Sequence, residues 1–300
     1  MRLPVRSPFR LDFTVDALRR LAANAVDVVA SDGTFCRAVR DERSAELLAV
    51  RAADAGCIEF RATGADSERW LLTVRRMLGT DVDLRSWYAR SAKVLWLRAL
   101  ARRLRGLKPP RYPTLWEACA HAIVFQQISI HAGAAIMQRI VGLLAEEVAA
   151  DDIRARIFPE PARWLDASDP TLRGAGLSRN KLAHIRAVAA AFADGTLNEE
   201  RLEALPTPEA AVVLTAVRGI GPWSASVALL RGLGRLDVFP LRDSGVARSV
   251  VRVAGGVVDL EESLRILGPM RGMLYFHLLL SRLHAPAAQP PVRARRSKGA

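Results

Sequence analysis

In the stretch VRGIGPW, residues 217–223, two glycines flank one isoleucine behind an arginine. Gly219 and Gly221 allow backbone conformations that residues with a Cβ avoid, and Ile220 between them reads as the anchor of a tight hairpin. The pair either ends a helix or lets main-chain N–H groups approach a phosphate. The flanking segments favour the second. TPEAAVVLTAVRG has Thr207 as an N-cap and Pro208 at the first helical position, where a missing N–H costs little. PWSASVALLRG opens on Pro222 and closes on Gly232, so 207–232 reads as helix, hairpin, helix. Hairpin N–H groups and the N-terminus of the second helix then form an anion site, strengthened by the helix dipole. Backbone contacts carry no base information, so such an element suits a sequence-independent grip on DNA phosphates.

The segment LDVFPLRDSGVARSV, residues 236–250, supplies the next chemical group. Asp243 opens a helix there, and N-capping is a common role for aspartate. A reactive role is compatible with it, because a helix N-terminus also favours an ionised carboxylate. The helix after the hairpin spans roughly 16 Å at 1.5 Å per residue and leads from the phosphate contact towards the interior.

The charge balance agrees with a polyanionic partner. Lys plus Arg is 44 against 31 Asp plus Glu in 300 residues, a net charge of +13 with neutral histidines. The alternative is an arginine-rich composition with a solvated basic surface. Half of the residues are hydrophobic, which excludes general disorder. Cys36, Cys57 and Cys119 are widely spaced, which argues against a disulfide framework and against a cysteine-built zinc or iron–sulfur site. His121, His131 and His184 lie in helical segments without ligand spacing, so no metal is expected, and no redox or nucleotide cofactor is indicated. The start MRLPVRSPFR lacks an apolar signal core, and no run reaches membrane-spanning length. A cytoplasmic monomer with no membrane partner is the reading.

The elements that must position these groups fall into two parts. Residues 1–88 look mixed. LDFTVDALRRLAANAV has helical spacing, with Leu18, Leu21, Ala22 and Ala25 on one side. TFCRAVRD, ELLAVRAA and CIEFRATG suit strands of an antiparallel sheet, and SERWLLTVRRMLG another amphipathic helix. From about residue 89 the chain reads as almost wholly helical. TLWEACAHAIVFQQISIHAGAAIMQRIVGLLAEEV begins with the Thr114–Glu117 spacing of a capping box and breaks near Ile128 to His131. SRNKLAHIRAVAAAFADG starts at a Ser178 cap and stops at Gly195. The expected fold is mainly α, with an N-terminal α+β domain over 1–88 containing an antiparallel sheet. A helical domain over 89–285 and a basic, disordered tail over 286–300 follow. The tail either adds electrostatic attraction to DNA or is dispensable.

Together these segments resemble the helix–hairpin–helix DNA glycosylase superfamily, and within it the 3-methyladenine DNA glycosylase II (AlkA-type) branch. VRGIGPWSASVALLRGLGRLDVFPLRDSGVARSV has the hairpin, the intervening helix and the aspartate at the family's spacing. AHAIVFQQIS is similar to the family's A-I-x-x-Q-Q-[VI]-S segment, and GLSRNKLAHIRAVAAAFADG to its later G-[LM]-x-x-x-[KR] helix. SPFRLDFTVDALRRLAANAVD resembles the start of this branch, which carries an extra α+β domain. The resemblance runs from about residue 8 to 284.

It implies a monofunctional glycosylase that flips an alkylated purine out of double-stranded DNA and hydrolyses its glycosidic bond in base excision repair. Asp243 would be catalytic, stabilising positive charge on the sugar and orienting or activating a water. Trp223 stands where bifunctional relatives have a Schiff-base lysine, which disfavours lyase chemistry. It is either part of the base pocket or a core residue. Gln126 and Gln127 match the glutamine pair beside the gap left by the flipped nucleotide, the second plugging the stack. Ser129 and His131 either touch phosphate or cap the next helix, and Arg271 lies near the cleft or on the surface. Met270 replaces an aromatic of the family's P-W-R segment, and Val227 and Ser244 stand where some members have tyrosine. A pocket with fewer rings loses cation–π contacts worth about 0.5–2 kcal/mol each. Deaminated purines or mismatched bases are therefore alternative substrates, and a DNA-binding scaffold without catalysis is the non-enzymatic alternative.

Overall fold

The computed structural model describes residues 1–54, 56–241 and 243–284, so the tail expected over 286–300 lies outside the described residues. Five antiparallel strands form the N-terminal sheet in the order β1-β5-β4-β3-β2. β3 (Phe35–Arg40), β4 (Ala45–Ala52) and β5 (Cys57–Ala62) are the three expected strands, with Phe35 opposite Val50 and Val50 opposite Phe60. Short edge strands β1 (Arg2–Pro4) and β2 (Asp27–Val29) complete it. Alternation sorts the side chains. Phe35, Leu48, Val50, Ile58 and Phe60 face Leu11, Val15 and Leu18 of the helix Leu11–Arg19 and Val74, Met77 and Leu78 of the helix Leu71–Leu78.

The opposite face carries Cys36, Ala38 and Leu47 and is covered by a second hairpin, β6 (Glu147–Ala150) and β7 (Ile153–Arg156). This corrects the reading of the chain after residue 89 as almost wholly helical. Asp151 turns the hairpin at φ 52, a left-handed conformation that aspartate tolerates better than most residues. The first helix is also shorter than its spacing suggested. It stops at Arg19, and Leu21, Ala22 and Ala25 lie beyond it. There Asn24 Oδ1 accepts the N–H groups of Val26 at 2.9 Å and Asp27 at 3.1 Å, steering the chain into β2.

Helix starts differ in detail from the sequence reading. Ser178 caps the helix Arg179–Ala193 as expected, and Thr114 Oγ1 accepts the Glu117 N–H at 3.2 Å. The reciprocal half of the Thr114 capping box is missing, because the Glu117 carboxylate turns inward. It meets Arg37 Nη2 at 2.5 Å while Arg37 Nη1 meets Asp27 at 2.6 Å. All three side chains are buried, Arg37 to 2% exposure, and the triad ties β2 and β3 to the helix Leu115–Phe125. Thr207 is not an N-cap either. The helix Thr207–Thr215 is capped by Pro206, and Thr207 Oγ1 donates to Asp237 at 3.2 Å.

Two helical cores follow. One gathers Leu115, Cys119, Ile123, Ile140, Trp164 and Ile185, the other Trp87, Leu97, Leu100, Phe276 and Leu280. The helix Pro222–Arg231 runs between them, giving Ala225, Ala228 and Leu229 to the first and Leu230 to the second. Its N-terminus is therefore presented where the two cores meet the hairpin. Among the described residues no helix is long and apolar enough to cross a membrane.

Candidate active site

The hairpin forms as its glycines and isoleucine suggested, with one correction. Ile220 is 3% exposed in the first core, and its N–H donates to Val217 O at 3.1 Å to close the turn. Gly219 has φ +96, and a Cβ there would collide with the His184 side chain of the helix Arg179–Ala193. Gly221, in contrast, is extended at φ −84 and ψ 179, a conformation open to any residue, and nothing lies within 4 Å of a Cβ built on it. Its freedom is not conformational. What it contributes is open space beside the exposed start of the helix Pro222–Arg231.

The two positions should respond differently to alanine. Gly219→Ala combines a left-handed backbone, roughly 1–2 kcal/mol, with overpacking, roughly 1–3 kcal/mol, so a loss of about 2–5 kcal/mol is expected in urea unfolding. Gly221→Ala should remain within about 0.5 kcal/mol of wild type. Equal losses would contradict this account of the turn.

The glutamine pair divides into a brace and a projection. Gln126 ends the helix Leu115–Phe125, and its Nε2 donates to Gly219 O at 2.9 Å and to Ser224 Oγ at 2.8 Å. Its amide nitrogen is thus committed to the hairpin. Gln127 is exposed and holds φ +56, a sparsely populated conformation for a non-glycine residue. Ser129 is also exposed and caps the helix Ile130–Leu144, its Oγ accepting the Ala132 N–H at 3.1 Å. His131 follows on the surface.

Asp243 is the N-cap of the helix Ser244–Ala254. Its Oδ1 accepts the N–H groups of Gly245 at 2.8 Å and Val246 at 3.0 Å, and its Oδ2 accepts the Trp223 indole N–H at 3.3 Å. Trp223 sits half-buried in the first turn of Pro222–Arg231, so the carboxylate is fixed both by its own helix and by the hairpin helix. The sequence offered pocket and core as readings of Trp223. The indole-to-aspartate bond was not among them.

An arginine that the motifs did not single out stands beside the carboxylate, and a second is buried against Phe125. A Cβ on Gly245 would strike Arg282 Nη1 and lie 3.1 Å from Asp243 Oδ1, so both groups occupy the space over that glycine. Arg282 comes from the helix Gly272–Leu283; burial lowers its pKa, with Asp243 pulling the other way. Arg20, 9% exposed, stacks its guanidinium 4.6 Å from the Phe125 ring. Burial opposes its charge, but Tyr112, Tyr275 and Asp243 outweigh it and hold the proton more firmly than on an ordinary arginine.

The remaining candidates are not gathered at an open surface. Val227 is 1% and Met270 9% exposed, so neither presents appreciable area to a ligand in this structure. Ser244 begins its helix directly after Asp243, and its side chain lies outside the described residues. Arg271 is half-buried and donates from Nε to Gly268 O at 2.9 Å. His121 is buried and stacked 4.5 Å from Tyr112, and among the described residues no group of three His, Cys, Asp or Glu could hold a metal.

A family model for HhH-GPD superfamily base excision DNA repair proteins matches residues 120–259, from the glutamine helix through Asp243. The chain is 25% identical to a DNA-3-methyladenine glycosylase of Bacillus subtilis over 64% of its length and 65% of the relative's. It is 32% identical to a DNA-3-methyladenine glycosylase of Saccharomyces cerevisiae over 48% of each chain. The chain thus spans less than two thirds of either curated relative. Among solved structures, a 3-methyladenine DNA-glycosylase from Archaeoglobus fulgidus superposes with a TM-score of 0.80 at 26% identity, covering 96% of this chain and 100% of the other.

Proposed function

We propose that this chain, which carries an HhH-GPD superfamily base excision DNA repair domain, is a hydrolytic DNA glycosylase that removes alkylated purines from double-stranded DNA. The observation that carries the reading is Asp243. A carboxylate rigidly capped at a helix N-terminus, bonded to Trp223 and set one helix away from a phosphate-gripping hairpin has the parts this reaction needs. Hairpin N–H groups hold the backbone, and Gln127 projects to fill the stack as the damaged base turns out. The C1′–N bond then breaks with its electron pair leaving on the base. Positive charge builds on the sugar, and the Asp243 anion stabilises it at close range. Water adds its oxygen to C1′ and gives up one proton to solvent, leaving a neutral free base and an abasic site.

Trp223 supports hydrolysis over strand cleavage. Its side chain has no amine to form a Schiff base, and its N–H is engaged with the carboxylate. A DNA substrate implies action in the compartment that holds the DNA, the cytoplasm of a bacterial cell, and one chain supplies every group invoked.

The test is release of free methylated base from alkylated duplex DNA by the wild-type protein, followed by chromatography. Free base is expected, with the abasic strand intact until it is treated with alkali. A folded protein that binds the duplex and releases no base would overturn the reading.

A further inference from the structure

The stretch from Leu84 to Trp116 holds nine lysines and arginines and no aspartate or glutamate. Three of them, Arg98, Arg102 and Arg105, line one cavity of about 340 Å³ beside the helices Arg85–Ser91 and Arg98–Arg103, together with Tyr88, Ser91 and Ala101. No lining residue belongs to the hairpin, to the glutamine helix or to the helix that Asp243 caps, so the cavity is separate from the candidate active site. Two of the guanidinium groups are already held in place. Arg98 Nε donates to Ala92 O at 2.6 Å. Arg105 stacks 4.6 Å from the centre of the Tyr88 ring, and the Tyr88 hydroxyl accepts the Gly106 N–H at 3.0 Å. The charge has no counterpart. Among the described residues the three arginines form no ion pair, and the cavity lining contains no carboxylate. Asp81 and Asp83, just before this stretch, are engaged by Arg75 at 3.7 Å and by Arg85 at 2.6 Å. Arg98 and Arg102 stand one turn apart on the same helix, a spacing at which like charges repel. Arg98 is also the first residue of that helix, at the positive end of its dipole.

We propose that this cavity binds a compact phosphate-bearing ligand, a phosphomonoester or diphosphate of up to nucleotide size. Its volume falls in the range of about 300–1,000 Å³ common to small-molecule sites. Guanidinium forks match phosphate oxygens in pairs, and three of them suit a group that carries two or more negative charges. A duplex backbone is a rod that lies across a surface, whereas a hollow beside two short helices admits a small ligand. Bound phosphate also removes the repulsion between Arg98 and Arg102, so the ligand stabilises the folded chain.

Isothermal titration calorimetry of the full chain with inorganic pyrophosphate, deoxyadenosine monophosphate and unphosphorylated deoxyadenosine tests this. Wild type should bind the two phosphorylated probes with submillimolar affinity and leave the nucleoside unbound. Arg98→Gln, Arg102→Gln and Arg105→Gln should each weaken pyrophosphate binding about tenfold or more. All three side chains are exposed, so the variants should melt close to wild type when no ligand is present. Pyrophosphate should raise the melting temperature of wild type more than that of any variant. Saturation with a short undamaged duplex should leave pyrophosphate binding unchanged. No heat of binding at millimolar probe, or binding that all three substitutions leave intact, would overturn the proposal. Displacement of pyrophosphate by the duplex would assign these arginines to DNA phosphates and overturn it equally. So would variants that lose duplex affinity and salt dependence while wild type ignores pyrophosphate.

Discussion

Asp243→Asn is expected to reduce the single-turnover rate of base release by about 10³-fold with the fold intact. Both halves follow from how the side chain is held. Oδ1 works as an N-cap for Gly245 and Val246, and asparagine caps a helix about as well as aspartate. The lost group is the negative charge. In a site shared with Arg282 and the Trp223 N–H, the amide offers the sugar a dipole where the carboxylate offered an anion. Its NH₂ also faces the indole donor, so a modest fall in melting temperature accompanies the loss. Release rates within a few fold of wild type would remove Asp243 from the chemistry.

Arg37→Leu should be the most damaging single change to stability, about 3–5 kcal/mol by denaturant unfolding, because it strands two carboxylates in the interior. The effect should depend on pH. Burial, against the opposing pull of Arg37, pushes Glu117 up to about 7 from an ordinary 4.5. A carboxyl whose pKa is higher folded than unfolded adds stability that is complete below the unfolded value and lost as pH rises through the folded one. That window is about pH 4.5 to 7 in wild type. Without Arg37 the folded value moves further up, so the deficit should be smaller at pH 5 than at pH 8. A deficit that does not change with pH would mean that Glu117 finds another cation.

The parts of the molecule legible in the sequence are those whose signals are local. The three long strands showed by alternation, the hairpin by Gly-Ile-Gly between two proline-led helices, and Asp243 as a cap by its place before SGVARSV. What escaped is either very short or made at long range. β1 and β2 have three residues each, too few for a period to register. The β6–β7 hairpin had a usable signal in its Asp-Asp turn, but it was hidden inside an alanine-rich helical context. The capping box failed because Glu117 found Arg37, eighty residues away in sequence. Arg282 reaches Asp243 from the end of the chain while Arg20 settles over Phe125 from its start, and no spacing rule joins them. At the site, motif spacing yielded the carboxylate and the hairpin, whereas the charges that tune them emerged only from the packing.

The two hydrogen bonds that Gln126 donates to the hairpin have a mechanical meaning. They tie the residue before the exposed Gln127 to the hairpin through one half-buried side chain, so under the proposed function a stack-filling residue and a phosphate grip would act as the jaws of one caliper. The two Gln126 bonds set that spacing during folding, which lowers the ordering cost of association. On the proposed function the duplex would be the partner that deforms to fit. DNA already weakened by damage yields more readily than an intact helix, so under that reading targets would be sorted by stiffness before any base is inspected.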